Sequence, residues 1–203
     1  VLLCAPLAAA AERHEAGDRD LREAVADVLA RLDAQDAQDT FAAIALATPG
    51  GLGDAAEQDV RSPPTVGLVE AMRLAADRDL VARQYADGFR EIFEFGLPAL
   101  AAPDTAVQAP ATGPALAAYL AFASVFPDSH LQRKYGLEVA ETVRRQMADL
   151  AGDLARRQDP DARLALALCL DAALKRDGRN PGTSADLTVA SLFAQNLAEA
   201  QRE

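Results

Sequence analysis

The chain has 203 residues, 50% hydrophobic and 25% charged, with 31 acids against 20 bases and a formal net charge of −11. The length suggests one domain, and the composition excludes a mainly disordered chain. The acidity excludes the basic surface that general nucleic-acid binding or adhesion to an anionic membrane needs.

The opening run, residues 1–11, is apolar but shorter than the roughly 20 residues that span a bilayer. It also lacks the positive segment that precedes a signal-peptide core. It reads as a buried helix, and the whole chain as one helical domain, 1–203, that is the C-terminal part of a larger one. Leu21, Val25, Val28, Leu29 and Leu32 recur at helical spacing and predict an amphipathic helix over about 18–34. Phe41, Ile44, Ala45 and Ala47 predict a short helix ended by Pro49. A long polar Gly/Pro-rich loop follows, over 48–54 and 58–65, of the kind that often carries function. Thr65 is expected to cap a helix through Val69, Met72 and Ala76 to Leu80 and on towards Leu97. Residues 101–113 read as a connector and 115–126 as an apolar helix. Pro127-Asp-Ser-His130 interrupts it. Helices are expected over 131–158, 161–176 and 183–203, with a breaker cluster at 177–182. Ala (47) and Leu (27) far outnumber Val (12) and Ile (2), so helix formers dominate throughout. The expected class is all-α, a multi-helix bundle with two long functional loops, and no segment is apolar enough to cross a membrane. Cys4 and Cys169 lie among Ala and Leu and are expected as small buried hydrophobes in a reducing compartment. With no CxxC and only His14 and His130, a zinc site is not expected.

Four polar stretches depart from a plain bundle. In Pro49-Gly-Gly-Leu-Gly53, the glycines Gly50, Gly51 and Gly53 would let backbone N–H groups approach an anion, with Asp59 and Arg61 nearby, or form only a flexible connector. Asp77 and Asp79 flank Arg78, with Arg83, Gln84 and Tyr85 beyond. This is either a solvated face with local ion pairs or carboxylates turned to magnesium beside a phosphate-neutralising arginine. Asp128, Ser129, His130, Arg133 and Lys134 fall within seven residues, either as a helix cap and surface charge or as chemistry at a phosphorylated substrate. Asn180-Pro-Gly-Thr-Ser-Ala-Asp186 has near capping-box spacing. Asn180, Gly182 and Thr183 would also present a helix N-terminus to an anion, with Asp186 available to hold a metal or a hydroxyl.

In this order, Pro49-Gly-Gly-Leu-Gly53 with Gln58-Asp-Val60, Ala76-Asp-Arg-Asp79 with Arg83-Gln-Tyr85, Phe126-Pro-Asp-Ser-His130 with Arg133-Lys134-Tyr-Gly136, and Asn180-Pro-Gly-Thr-Ser-Ala-Asp-Leu187 resemble the triphosphoribosyl-dephospho-CoA synthase family over nearly the whole chain. The sequence is most similar to the branch found beside one-carbon and methanopterin-type pathways. Ser184 stands where the family more often has Thr, and the family's Lys-Pro-Gly-Asn-type and Asn-Thr-Asn-Leu-Gly-type segments would lie before Val1. The resemblance implies an all-helical transferase, located in the cytoplasm. It would move the 5-triphosphoribosyl group of ATP to the ribose 2′-hydroxyl of 3′-dephospho-CoA and release adenine. It also implies Mg²⁺ with ATP, no nucleic-acid or membrane partner, and leaves the oligomeric state open.

Arg78, Arg133 and Lys134 are then the expected triphosphate cations, and Asp59, Asp77 and Asp79, with Asp186, the candidate Mg²⁺ ligands. Asp128, His130 and Asp186 are the candidate catalytic groups, Asp128 or His130 being the expected base. Two other functions fit the pattern: a nucleotide-using enzyme of a one-carbon cofactor pathway with another acceptor, and a non-catalytic helical interaction module.

Overall fold

The computed structural model describes residues 1–13, 20–47, 57–102 and 113–200. They form eleven α-helices and one π-helical turn, and no strand occurs among them. The class is all-α, and no described helix is long and apolar enough to cross a membrane. The chain divides into two compact units, Val1–Glu91 with Phe193–Glu203, and Ile92–Leu192.

The first unit holds α1 (Cys4–Arg13), α2 (Leu21–Leu29), α3 (Ala34–Ala47), α4 (Leu68–Arg73) and α5 (Leu80–Ala86). Asp20 caps α2, which buries Leu21, Ala24, Val25, Val28 and Leu29, one stripe at the spacing that the sequence predicts. Leu7 and Ala10 of α1 are fully buried in the same unit; each large side chain so buried contributes roughly 1.5–3 kcal/mol. The Tyr85 hydroxyl donates to the Leu2 carbonyl at 2.7 Å, tying α5 to the start of the chain.

The helix expected to run on from Thr65 instead starts late and is broken twice. It starts at Leu68 with Gly67 as N-cap, because Thr65 is engaged by Gln58 through both its N–H and its hydroxyl. Turns over 74–79 end α4, and Asp79 restarts the chain as α5. Gly88 (φ +63°) and Phe89 (φ +58°) then leave helical geometry. Phe89 holds this costly conformation because its ring is completely buried and its N–H donates to the Gln84 carbonyl.

The second unit opens with the π-helical turn Ile92–Gly96 and continues through α6 (Leu97–Ala101), α7 (Gly113–Val125), α8 (Ser129–Tyr135), α9 (Leu137–Arg156), α10 (Pro160–Arg176) and the start of α11 (Gly182–Ala200). Gly96 must be glycine: a Cβ there would collide with Ser191 of α11. Ala140, Val143, Met147, Leu150 and Leu154 make the buried stripe of α9 and pack with Leu120, Leu131 and Leu174. The helix predicted over 131–158 is two helices, because Gly136 at φ +90° turns the chain between α8 and α9. The expected burial of the cysteines also fails. Cys169 is exposed on the solvent side of α10, and Cys4 is half-buried; neither is in a disulfide.

Candidate active site

In the second unit, one carboxylate joins the starts of two helices. Asp128, only 3% exposed, is the N-cap of α8: Oδ1 accepts from the backbone N–H of His130 (3.0 Å) and of Leu131 (3.1 Å). Its Oδ2 accepts from the backbone N–H (2.8 Å) and the hydroxyl (2.9 Å) of Ser184, in the first turn of α11. The His130 N–H also donates to the Thr183 hydroxyl oxygen at 3.1 Å. Asp128 therefore spends all of these bonds on protein donors. Thr183 and Ser184 are buried, so their hydroxyls are not presented to a ligand. The anion at the start of α11 is the protein's own Asp128.

The same clamp seats the His130 ring on Gly182, where a Cβ would lie 3.5 Å from the imidazole Cγ. Asp186 follows within the first turns of α11, on its solvent side. Partial burial raises its pKa above the ordinary carboxylate value and Asp128 adds to this, while His130 and Arg133 pull the other way. Asp128, His130, Arg133, Gly182, Thr183 and Asp186 are thus brought together. Behind them, burial pushes the Tyr119 phenol up to about 12, with Asp128 and Asp171 adding to it. Lys134 instead lies over the Tyr135 ring, 5.1 Å from its centre. Tyr135 in turn donates to the Gly178 carbonyl at 2.9 Å, so α8 is tied at both ends to the segment before and at the start of α11. The Asn180 carbonyl accepts from the Gly182 N–H at 2.8 Å and closes the turn around Pro181.

The first unit uses its charges locally. Asp59 holds Arg61 through two close contacts, 2.8 and 2.7 Å. Asp77 lies 3.9 Å from Arg78, both exposed. Asp79 caps α5 by accepting from Val81 N–H (2.8 Å) and Ala82 N–H (3.1 Å). Among the described residues no three His, Cys, Asp or Glu converge on one point. Gly50, Gly51 and Gly53 lie outside the described residues. Glu91, not singled out from the sequence, is buried. It accepts from Gln84 Nε2 at 2.8 Å and pairs with Arg83 Nε at 3.1 Å and Arg90 Nη2 at 3.3 Å. Its spacing from Gln84 gives no signal, because the chain leaves the helix at Gly88. Ser184 and Tyr135 were visible as a hydroxyl and a phenol beside the motifs, but not their partners 56 and 43 residues away.

The ATP:dephospho-CoA triphosphoribosyl transferase family matches residues 1–203. A crystal structure from Archaeoglobus fulgidus, of a protein assigned as a triphosphoribosyl-dephospho-CoA synthase, is similar at a TM-score of 0.70 and 28% identity, covering 98% of this chain and 80% of that one. A comparison with curated proteins gives no match.

Proposed function

This chain belongs to the ATP:dephospho-CoA triphosphoribosyl transferase family, and from that premise we propose that it moves the 5-triphosphoribosyl group of ATP to the ribose 2′-hydroxyl of 3′-dephospho-CoA and releases adenine. It is a transferase of the triphosphoribosyl-dephospho-CoA synthase type, and its family uses ATP and dephospho-CoA as substrates. The observation that carries the finer reading is the match along the whole chain, which includes the α8–α11 corner.

The acceptor 2′-oxygen forms a bond to C1′ of the ATP ribose as the bond from C1′ to adenine breaks. The hydroxyl proton passes to a protein base, and adenine leaves with a proton. Such a displacement has oxocarbenium character, so negative charge beside C1′ favours it. Asp186 is the base in this reading: its raised pKa, solvent access and place beside His130 suit proton transfer better than the fully hydrogen-bonded Asp128. Asp128 then positions His130 and α11. Arg133 and Lys134, on α8, supply positive charge for phosphates in this reading. Mg²⁺ enters as part of the ATP substrate. Asp59 and Asp79 are committed to Arg61 and to helix N–H groups, and magnesium on a triphosphate needs only one or two protein carboxylates, or none. A cytoplasmic location is part of the same proposal.

The test follows free adenine by chromatography in the presence of ATP, Mg²⁺ and 3′-dephospho-CoA, with mass detection of the CoA product. Adenine formed only when dephospho-CoA is present, together with a product heavier by one triphosphoribosyl group, is expected. ATP turnover without adenine, or transfer to another acceptor only, overturns the reading.

A further inference from the structure

Helix α10 is apolar on two opposite sides. Leu166, Leu170 and Leu174 pack into the core of the second unit. On the other side Leu164 and Leu168 are 43% and 55% exposed, with Ala165, Cys169 and Ala172 exposed beside them. At about 3.6 residues per turn these positions form one stripe along the helix. A helix that is apolar all round is ordinarily buried all round. The ends of the stripe carry charges of opposite sign. Asp161 stands in the first turn of α10, and Lys175 and Arg176 stand in the last. All three are exposed. Lys175 Nζ reaches Asp171 at 2.7 Å, and the side chains of Asp161 and Arg176 have no ion-pair partner among the described residues. Leu164 and Ala172 lie four residues to either side of Leu168, and Asp161 and Lys175 lie seven to either side. All of these residues belong to the second unit.

We propose that this face of α10 binds the same face of a second copy of the chain, the two helices antiparallel across a two-fold axis at Leu168. Each Leu164 then lies opposite an Ala172, a large side chain against a small one. Each Asp161 lies opposite the Lys175 and Arg176 of the other copy. Parallel helices would instead set Asp161 against Asp161 and base against base. The contact is isologous, so it closes at two copies. Asp161 and Asp171 balance Lys175 and Arg176, which leaves the face neutral in a chain whose net charge is −11. Two copies of so acidic a chain repel as whole bodies, and a neutral apolar stripe is a surface on which they can meet.

The experiment is analytical sedimentation of the full chain over a micromolar concentration series. One helix face per copy is a small interface, so a dimer in the micromolar range is expected. Leu168→Glu puts a carboxylate from each copy at the axis, so dimer affinity is expected to fall by about tenfold or more. The melting transition of the dilute monomer is retained, because position 168 is exposed. Charge reversal tests the alignment. Asp161→Lys in one variant, and Lys175→Glu with Arg176→Glu in another, each set like charges together and are expected to weaken the dimer. An equimolar mixture of these two variants restores opposite charges at both ends and is expected to dimerise like the wild type, which a misfolded variant cannot do. A short thiol cross-linker is expected to join two copies through Cys169, beside the axis, and Cys169→Ser to abolish that product. A wild-type chain that stays monomeric throughout the series overturns the proposal. So does a Cys169 thiol closed to maleimide in the folded monomer, since another part of the same chain then covers the face. A dimer indifferent to Leu168→Glu is built on another surface and also overturns it, and a mixture of the charge variants that stays monomeric overturns the antiparallel alignment.

Discussion

Asp79 and Asp128 begin two helices of seven residues each with the same cap, one oxygen accepting from two backbone N–H groups at 2.8–3.1 Å. There the likeness ends. Asp79 sits among charges that pair with near neighbours in sequence, as Asp59 does with Arg61. Asp128 turns its second oxygen to Ser184, 56 residues further on, and is buried while doing so. One cap starts a helix. The other starts a helix and fixes where a second helix begins, and that second use makes α8 and α11 a frame for His130 and Asp186.

The comparison breaks most easily at Asp128. Asp128→Ala removes the cap and leaves the buried Ser184 N–H without an acceptor, so a loss of about 3 kcal/mol or more is expected in chemical denaturation. A loss no larger than that of Asp79→Ala shows that the second oxygen adds nothing. Asp186→Asn tests the group that the frame presents. Adenine release is expected to fall on the order of a hundredfold, with the melting temperature raised at neutral pH. The sign follows from linkage. The folded Asp186 carboxyl holds its proton more tightly than the unfolded one, so wild-type stability falls as pH rises from the ordinary carboxylate value through the raised one. The advantage of Asn is therefore full above that window and vanishes in acid; a melting difference that persists in acid, or has the opposite sign, refutes the assignment.

Ser184→Ala sharpens the clamp itself. It keeps the backbone bond to Asp128 and loses only the hydroxyl, with an expected cost of about 1–2 kcal/mol, whereas Ser184→Thr retains the hydroxyl and should recover most of it. Asp79→Ala is the smallest of the series, about 1 kcal/mol for a cap alone, read from the same denaturation curves.

Much of this frame was legible before the fold was known. The buried face of α2, with Leu21, Val25, Val28 and Leu29, follows from spacing alone. Asp128 was visible as a cap, and the Pro181-Gly182 turn as a helix start. What misled was continuity. Thr65 was taken from its expected cap by Gln58, seven residues back, and Gly136 divided one predicted helix by adopting a φ that spacing does not report. Cys169 is apolar in its sequence context, but α10 presents that position to solvent.

Helix content, caps and core stripes depend on residues a few positions apart, so the sequence by itself determined the all-α class and the chemistry collected in each motif, and the family followed from the order of those motifs. The bonds from Asp128 to Ser184 and from His130 to Thr183, and the buried Glu91 among Gln84, Arg83 and Arg90, join groups brought together by packing. Only the tertiary structure decided them, because a buried polar atom takes whatever partner the surrounding helices place within hydrogen-bond reach.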